Sequence, residues 1–213
     1  MNEYRAYPNV GNPPETYNVR AKHQKLSYTR PSKKDDQEEV EKNVAKGLFR
    51  ICEEGGLISL LQKDGMVGQI GKIVDFEVPL HHPGNRNIDL VSVDGDNIYL
   101  LELKKNHAKE TLLRCILEAY TYSRIAERDV LRRSFGVADN GRIVICPLFF
   151  EDSQQYRDYE ELSKGDRPAL KSLIDHIKEV DKEIDIRFAC LDTSKDPDFP
   201  DFNKTSFDIK WWH

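Results

Sequence analysis

Apolar residues recur at helical spacing in three segments of the chain. Their separation by three or four positions predicts amphipathic helices over residues 35–52, 108–128 and 168–177. The pair Gly55-Gly56 ends the first helix, because glycine is the residue most often found just after a helix C-terminus. We expect the short apolar stretch 57–61 to add another helical turn or two.

Strand-like segments separate these helices. Runs rich in β-branched and aromatic residues predict strands over residues 73–80, 88–93, 98–104, 142–150 and 184–191. The predicted order is helix, three strands, helix, strand, helix, strand. Because helices and strands alternate in the second half, its connections are expected to be parallel crossovers. The sequence therefore predicts an α/β domain whose mixed sheet combines an antiparallel three-strand meander with parallel strands and carries helices on both faces.

Charge divides the chain into three parts. The first 34 residues hold seven Lys and Arg against two Glu, which gives +5, and four of the ten prolines. The whole chain has a formal net charge of -5, so the remainder carries -10. We predict a basic extended arm over 1–34, a folded domain over 35–192 and an acidic, aromatic tail over 193–213. The arm either binds nucleic acid through its cations and stacking tyrosines, or docks on its own domain or on a partner.

No segment of the sequence has the composition of a membrane span. The longest apolar run, residues 143–150, is far shorter than the roughly 20 residues that cross a bilayer. No apolar segment follows Met1, so we expect no signal peptide, no membrane partner and a cytoplasmic location. The cysteines form no CxxC pair, which favours buried thiols over disulfides or a zinc site. They are Cys52, Cys115, Cys146 and Cys190.

The segment 87–104 carries the most informative pattern. Its Asp-Gly-Asp-Asn turn at 94–97 predicts a two-residue hairpin loop between two strands. In that register the numbers of facing residues sum to 191, so Asp89 faces Glu102. Facing side chains of an antiparallel pair have Cβ atoms about 5 Å apart. Lys104 follows Glu102 by two positions and therefore lies on the same face.

This group of side chains points to a specific chemistry. Two facing carboxylates repel each other, so the pair opposes folding unless a cation lies between them. Carboxylate oxygens suit Mg²⁺, which lowers the pKa of a bound water and neutralises charge on a phosphate. A nearby lysine can orient the attacking water or stabilise the transition state. Asp89, Glu102 and Lys104 therefore predict phosphodiester hydrolysis with Mg²⁺ or Mn²⁺ as cofactor.

The same residues resemble a known motif. Asp89, twelve intervening residues and then Glu102-Leu103-Lys104 are similar to the motif of the PD-(D/E)XK nuclease superfamily, which includes restriction endonucleases, resolvases and RecB-type nucleases. The core of that superfamily, a helix, a three-strand meander, a helix and a strand, matches the order predicted for residues 36–150. Ile88 departs from the family name, which has proline there. The resemblance implies a restriction endonuclease-like fold, with Lys104 as catalytic lysine and metal ligands Asp89, Glu102 and the carbonyl of Leu103.

Members of the superfamily often add an acid on the first helix, and polar and aromatic residues on the helix after the motif. Glu41 is preferred over the acids at 38 and 39 because it shares a helical stripe with apolar residues, the alternative being a solvated acid. Glu77 on the preceding strand either supports the site or is exposed. The predicted substrate contacts are Lys105, Arg114, Glu118 and Tyr122. Lys105 and Arg114 belong to a run of positive charge whose alternative is a mixed solvated face.

The expected activity is a metal-dependent nuclease, with DNA as the expected substrate and RNA as the alternative. A second hypothesis is a nucleic-acid-binding or complex-forming module that keeps the nuclease fold and has little cleavage of its own. A third treats the triad as a coincidence in a structural α/β protein. A homodimer is compatible with the sequence, because cutting both strands needs two sites and Trp211-Trp212 offers an apolar tail.

Overall fold

The computed structural model describes residues 15–17, 37–53, 57–62, 67–68, 70–80, 86–104, 108–151, 153–191 and 206–212. Its helices are α1 (Gln37–Glu53), α2 (Leu112–Ile125), α3 (Arg128–Ser134), α4 (Gln154–Lys164) and α5 (Pro168–Val180). Its strands are β1 (Leu57–Gln62), β2 (Val67–Gly68), β3 (Lys72–Pro79), β4 (Asn87–Asp94), β5 (Asn97–Leu103), β6 (Arg142–Phe150), β7 (Ile184–Ile186), β8 (Phe188–Leu191) and β9 (Ser206–Trp212). Within these ranges, none of the helices combines the length and the apolar character that crossing a membrane requires.

The strands form one mixed sheet. Their order is β2-β1-β9-β8-β6-β5-β4-β3, and β7 also pairs with β6. β3, β4 and β5 form an antiparallel meander, and β6 joins β5 in parallel. Parallel pairs also link β6 to β7 and β8, and β1 to β9. The predicted α/β class, mixed sheet and antiparallel meander are confirmed.

Helices cover both faces of the central strands. Tyr99 and Leu101 of β5 lie in the core that α1 covers, together with Leu48. Ile98 and Leu100 point to the opposite face, where α3 contributes to the core. α2, α4 and α5 complete that second face over β6. β5 and β6 are buried on both faces, so most of their residues are apolar and they lack the polar alternation of a solvent-facing sheet.

The structure departs from the sequence prediction in several segments. In place of the predicted helix 108–128 it has α2 and a separate helix, α3, and the short strand β2 was not predicted. Residues 57–62 form β1, so the prediction of further helical turns is wrong. β1 pairs in parallel with β9, which lies in the predicted tail 193–213, and the six residues of β1 carry no local signal of this distant pairing. The predicted strand 184–191 is divided into β7 and β8. α4 was not predicted because few of its residues are apolar.

One residue of the N-terminal arm docks on the folded domain. The ring of Tyr17 is fully buried in the core beside Val78. Its backbone N–H donates to Ser134 Oγ at 2.8 Å, and its hydroxyl accepts a hydrogen bond from the backbone N–H of Glu127 at 3.0 Å. At Tyr17 the arm therefore docks on its own domain, and the rest of 1–34 apart from residues 15 and 16 lies outside the described residues.

Candidate active site

The β4–β5 hairpin has the register that the sequence predicts. Asp94 pairs with Asn97 across a two-residue turn in which Gly95 has φ +55°. Glycine adopts this left-handed conformation without the steric strain that a Cβ would cause. One step beyond the last paired residues, the same register brings Asp89 opposite Glu102. Local strand pairing therefore brings the two acids of the motif together.

Backbone contacts and burial hold these residues in place. The backbone N–H of Leu103 donates to Asp89 Oδ2 at 2.8 Å. Glu102 is 3% exposed and Lys104 is 6% exposed, so both charged side chains are almost entirely out of water. The backbone N–H of Lys104 donates to the carbonyl of Leu148 on β6 at 2.9 Å, which ties the end of β5 to the sheet. Charges buried to this degree are stable only when other groups compensate them.

Three carboxylates surround the Lys104 ammonium. Its Nζ donates a hydrogen bond to Glu102 Oε1 at 2.9 Å. It also forms ion pairs with Glu118 Oε2 at 2.8 Å and with Glu110 Oε2 at 3.2 Å. Arg114 lies one helical turn from each of these two and reaches Glu110 Oε1 at 3.1 Å and Glu118 Oε1 at 3.0 Å. Together with Asp89, these side chains form a group that we call the lysine network.

The lysine network has more acids than bases. Its four carboxylates face only two cations, an excess of two negative charges when all are ionised. Three of its buried carboxylate oxygens make no hydrogen bond within the described part of the chain. They are Glu102 Oε2, Glu110 Oε2 and Glu118 Oε2. Two of them, Glu110 Oε2 and Glu118 Oε2, are ion-paired with Lys104 Nζ, which leaves Glu102 Oε2 with neither a hydrogen bond nor an ion pair among the described residues. Because nearly all buried polar atoms in proteins are paired, the excess charge and this oxygen favour the binding of a further cation.

Burial and charge shift the pKa values within the lysine network. Burial raises the pKa of Asp89 to about 7, and the neighbouring carboxylates add to the rise. Burial, followed by the charge of Asp89, raises the pKa of Glu102 well above its ordinary value. Burial alone would lower the pKa of Lys104, but the carboxylates around it raise this pKa and keep the ammonium charged. Added positive charge would therefore favour the ionised form of both strand acids, as expected of a cation site.

One face of α2 lies against the lysine network. Glu118 and Tyr122 lie on this face, and burial together with the charge of Glu102 raises the pKa of Tyr122. Arg114, whose side chain is 60% exposed, lies at the rim and reaches inward through its ion pairs. Three of the predicted substrate contacts are thus close to the predicted catalytic residues. The fourth, Lys105, lies outside the described residues.

Two further acids approach from α1 and β3. The charge of Glu41 adds to the effect of burial on the pKa of Asp89, so the preferred acid of the first helix lies near the site. Glu77 occupies the position of β3 opposite Asp89, between two paired positions. It has φ +46°, which is unusual for a residue other than glycine, and its carboxylate lies 3.9 Å from Lys42 Nζ. Glu77 is therefore drawn toward α1.

Sequence reasoning missed three polar residues that build the site. Glu110 precedes α2. The fully buried Gln155 of α4 donates a hydrogen bond from Nε2 to the backbone carbonyl of Glu110 at 2.7 Å. Buried Asp158 accepts a hydrogen bond from the backbone N–H of Leu112, where α2 begins, at 2.9 Å. Thr111, the N-cap of α2, is the signal that could have placed Glu110 at this helix terminus. Gln155 and Asp158 have no such signal, because polar helix residues are usually exposed.

Comparisons of the chain with protein-family models, with curated proteins and with solved structures found no match. Neither the superfamily resemblance nor the nuclease activity therefore gains support from a relative. The interpretation of the site depends on the residues and geometry of this chain.

The donor set of the lysine network suits Mg²⁺ without a complete protein cage. Among the residues that the structure describes, no group of three or more His, Cys, Asp or Glu side chains is placed to hold a metal ion. Mg²⁺ usually binds through one or two carboxylates and keeps several waters, which phosphate oxygens can replace. Asp89 and Glu102 meet this requirement, and Glu102 Oε2 has no hydrogen bond to the described residues. The residues present therefore fit the predicted cofactor.

A second charged group lies beside the amino ends of β6 and β7, whereas the lysine network lies at the carboxyl end of β5. We call it the arginine cluster, and its members are Arg124, Arg128, Arg132, Asp129, Asp181 and Glu183. Asp181 accepts hydrogen bonds from Arg124 Nη1 at 2.8 Å and Arg128 Nη1 at 2.9 Å. Arg132 Nη2 donates to Glu183 Oε2 at 2.7 Å. A cleft of about 430 Å³ adjoins this cluster, but the three arginines are already neutralised by three acids.

Proposed function

We propose that the chain is a Mg²⁺- or Mn²⁺-dependent nuclease that hydrolyses phosphodiester bonds in DNA, with a restriction endonuclease-like core. The observation that supports this most strongly is the acid excess of the lysine network at the carboxyl end of β5. Unpaired buried charge opposes folding, so an excess of this kind is expected where a ligand balances it. The spacing of Asp89, Glu102 and Lys104 on one hairpin adds the superfamily resemblance.

The proposed roles follow from the positions of the side chains. Asp89 and Glu102 would hold the cation from facing strand positions, with the carbonyl of Leu103 as a further ligand. When bound, the cation lowers the pKa of a coordinated water and neutralises charge on the scissile phosphate. The backbone N–H of Leu103 fixes the orientation of Asp89. Lys104, charged and held by three carboxylates, orients the attacking water and stabilises negative charge in the transition state.

Arg114 is well placed to bind the substrate backbone. Its guanidinium uses Nε on Glu118 and Nη1 on Glu110, and its side chain is 60% exposed. A guanidinium carries five N–H donors, so further donors remain for a phosphate oxygen. Glu41 and Tyr122 border the same site and complete its proposed set of described residues.

A cleavage assay tests this proposal. The protein is incubated with Mg²⁺ or Mn²⁺ and with supercoiled, linear, single-stranded and branched DNA, and with RNA. We expect cleavage of DNA that EDTA abolishes, and a loss of at least about a hundredfold in Lys104→Ala and Asp89→Asn. Asp175→Asn changes an exposed ion pair on α5 and is the matched control.

The possible outcomes separate the hypotheses. Cleavage at the parental rate in both Lys104→Ala and Asp89→Asn would refute the assignment. Cleavage of RNA alone would correct the substrate. Salt-dependent DNA binding without cleavage would instead identify a nucleic-acid-binding module that has the nuclease fold.

A further inference from the structure

The contacts of Lys104 Nζ are of two kinds. Its contact with Glu102 Oε1, at 2.9 Å, is a hydrogen bond. Glu118 Oε2 and Glu110 Oε2 form ion pairs with the same ammonium at 2.8 Å and 3.2 Å. Since an ammonium has three N–H donors, these two oxygens are acceptors that Lys104 can use in addition to Glu102.

The two acids on the α2 side are firmly placed. Arg114 bridges Glu110 and Glu118 by ion pairs of 3.1 Å and 3.0 Å. The side-chain amide of Gln155 holds the backbone carbonyl of Glu110 at 2.7 Å. These contacts hold the two acids beside Lys104 independently of Glu102.

We propose that Glu110 and Glu118 are positioning residues for Lys104, which keep its ammonium at the site when Glu102 binds a divalent cation. This inference rests on the proposed function, because it requires Glu102 to serve as a cation ligand. A cation at Glu102 would take the main hydrogen-bond partner of Lys104 and repel its like charge. The oxygens of Glu110 and Glu118 that are already ion-paired with Nζ then remain as its acceptors.

The most direct test observes the Lys104 ammonium by NMR. Protein labelled with ¹⁵N-lysine is titrated with Mg²⁺ alone, and the signal of Lys104 is assigned by its absence in Lys104→Arg. An ammonium held by buried acceptors exchanges its protons slowly, so its signal is visible. We expect the signal of the parent to shift and to persist as Mg²⁺ is added.

The variants separate the two sets of acceptors. In Glu110→Ala and Glu118→Ala we expect the Lys104 signal without Mg²⁺, because the hydrogen bond to Glu102 remains. With Mg²⁺ the signal should broaden beyond detection. Glu179→Ala, a change of a 76% exposed acid on α5, is the matched control and should behave as the parent does.

Different outcomes would refute the positioning role of the two acids and the nuclease activity. A Lys104 signal that persists with Mg²⁺ in the Glu110→Ala/Glu118→Ala double variant would overturn the positioning role. A parent signal that does not respond to Mg²⁺ would overturn it too, together with the cation of the proposed function. The expected signal changes in a protein that cleaves no nucleic acid would support positioning and refute the nuclease alone.

The cleavage assay offers a second readout for Glu118. A positioning role predicts that kcat falls roughly tenfold in Glu118→Ala while KM stays within about threefold of the parent. Glu118→Gln keeps an oxygen acceptor without the charge and should recover part of the loss. If Glu118→Ala weakened Mn²⁺ binding as much as Asp89→Asn does, Glu118 would be a metal ligand and the positioning role would be wrong.

Discussion

The lysine network and the arginine cluster both bury charged side chains on the α2 face of the sheet, but they differ in balance. In the arginine cluster three arginines meet three acids. Burial alone would raise the pKa of Asp181 there, yet its hydrogen bonds from Arg128 and Arg124 lower it. In the lysine network four acids meet two cations, and the pKa values of Asp89 and Glu102 are raised.

This difference separates charge that stabilises the fold from charge retained for a ligand. A balanced, hydrogen-bonded cluster satisfies its own members and joins α2 and α3 to the turn before β7. An unbalanced network lowers the free energy of unfolding, and a cation that binds the native state raises it again.

Glu102→Gln should separate activity from stability most strongly. Losing a cation ligand should reduce cleavage by at least about a hundredfold. In the metal-free protein the Glu102 carboxyl must either take up a proton or stay charged among other acids, so replacing it with a neutral amide should raise the free energy of unfolding by about 1 kcal/mol. Cleavage assays and urea unfolding in EDTA measure the two effects. If both the cleavage rate and the free energy of unfolding fell, the charges of the lysine network would be needed for folding, as those of the arginine cluster are.

Arg128→Ala should have the opposite effect. It removes a partner of buried Asp181, and breaking a buried ion pair of this kind destabilises by about 3 kcal/mol. We expect a lower urea midpoint, with cleavage per folded molecule within about twofold of the parent because Arg128 is remote from the lysine network. An unchanged urea midpoint would show that the arginine cluster does not stabilise the fold.

The two groups should give stability opposite dependences on pH in EDTA. The pKa of Asp89 is raised from an ordinary value of 3.8 to about 7, so its native form binds the proton more tightly. The contribution of Asp89 to the free energy of unfolding is therefore lost as pH rises from about 4 to about 7. The pKa of Asp181 is lowered, so its contribution to the free energy of unfolding is present above about pH 3.8 and is lost as the pH falls below that value.

Urea unfolding across this pH range checks both signs. Asp89→Asn should flatten the decline of stability between pH 4 and 7, and Asp181→Asn should flatten the loss at lower pH. If Asp89→Asn left the decline unchanged, the raised pKa of Asp89 would not govern it.

The smallest effect is expected at an exposed ion pair. On α5, Lys171 Nζ lies 2.9 Å from Asp175 Oδ1, and both side chains are more than half exposed. Asp175→Asn should change the free energy of unfolding by less than about 0.5 kcal/mol, because solvent screens such a pair. A larger change in the free energy of unfolding would show that this exposed pair stabilises the fold as buried charge pairs do.

The parts of the site that depend on local geometry could be predicted from the sequence. A two-residue turn fixes the hairpin register, so the facing positions of Asp89 and Glu102 follow from counting residues. Helical spacing of four places Glu118 and Tyr122 on one face of α2, and the structure brings that face to the network.

The parts that depend on distant contacts could not be predicted. The acid excess appears only when α2 packs on β5 and brings Glu110 and Glu118 to Lys104. Gln155 and Asp158 belong to a helix whose sequence is mostly polar, so their burial follows from tertiary packing alone. The pairing of β1 with β9 was missed for the same reason, since it joins segments far apart in the chain.

The central claim is that the acid excess of the lysine network is a divalent-cation site, and isothermal titration calorimetry with Mn²⁺ tests it most directly. The account predicts that the parent binds Mn²⁺ and that Asp89→Asn and Glu102→Gln bind it at least about tenfold more weakly, while Asp175→Asn binds it as the parent does. No binding by the parent, or equal binding by Asp89→Asn, would contradict the claim.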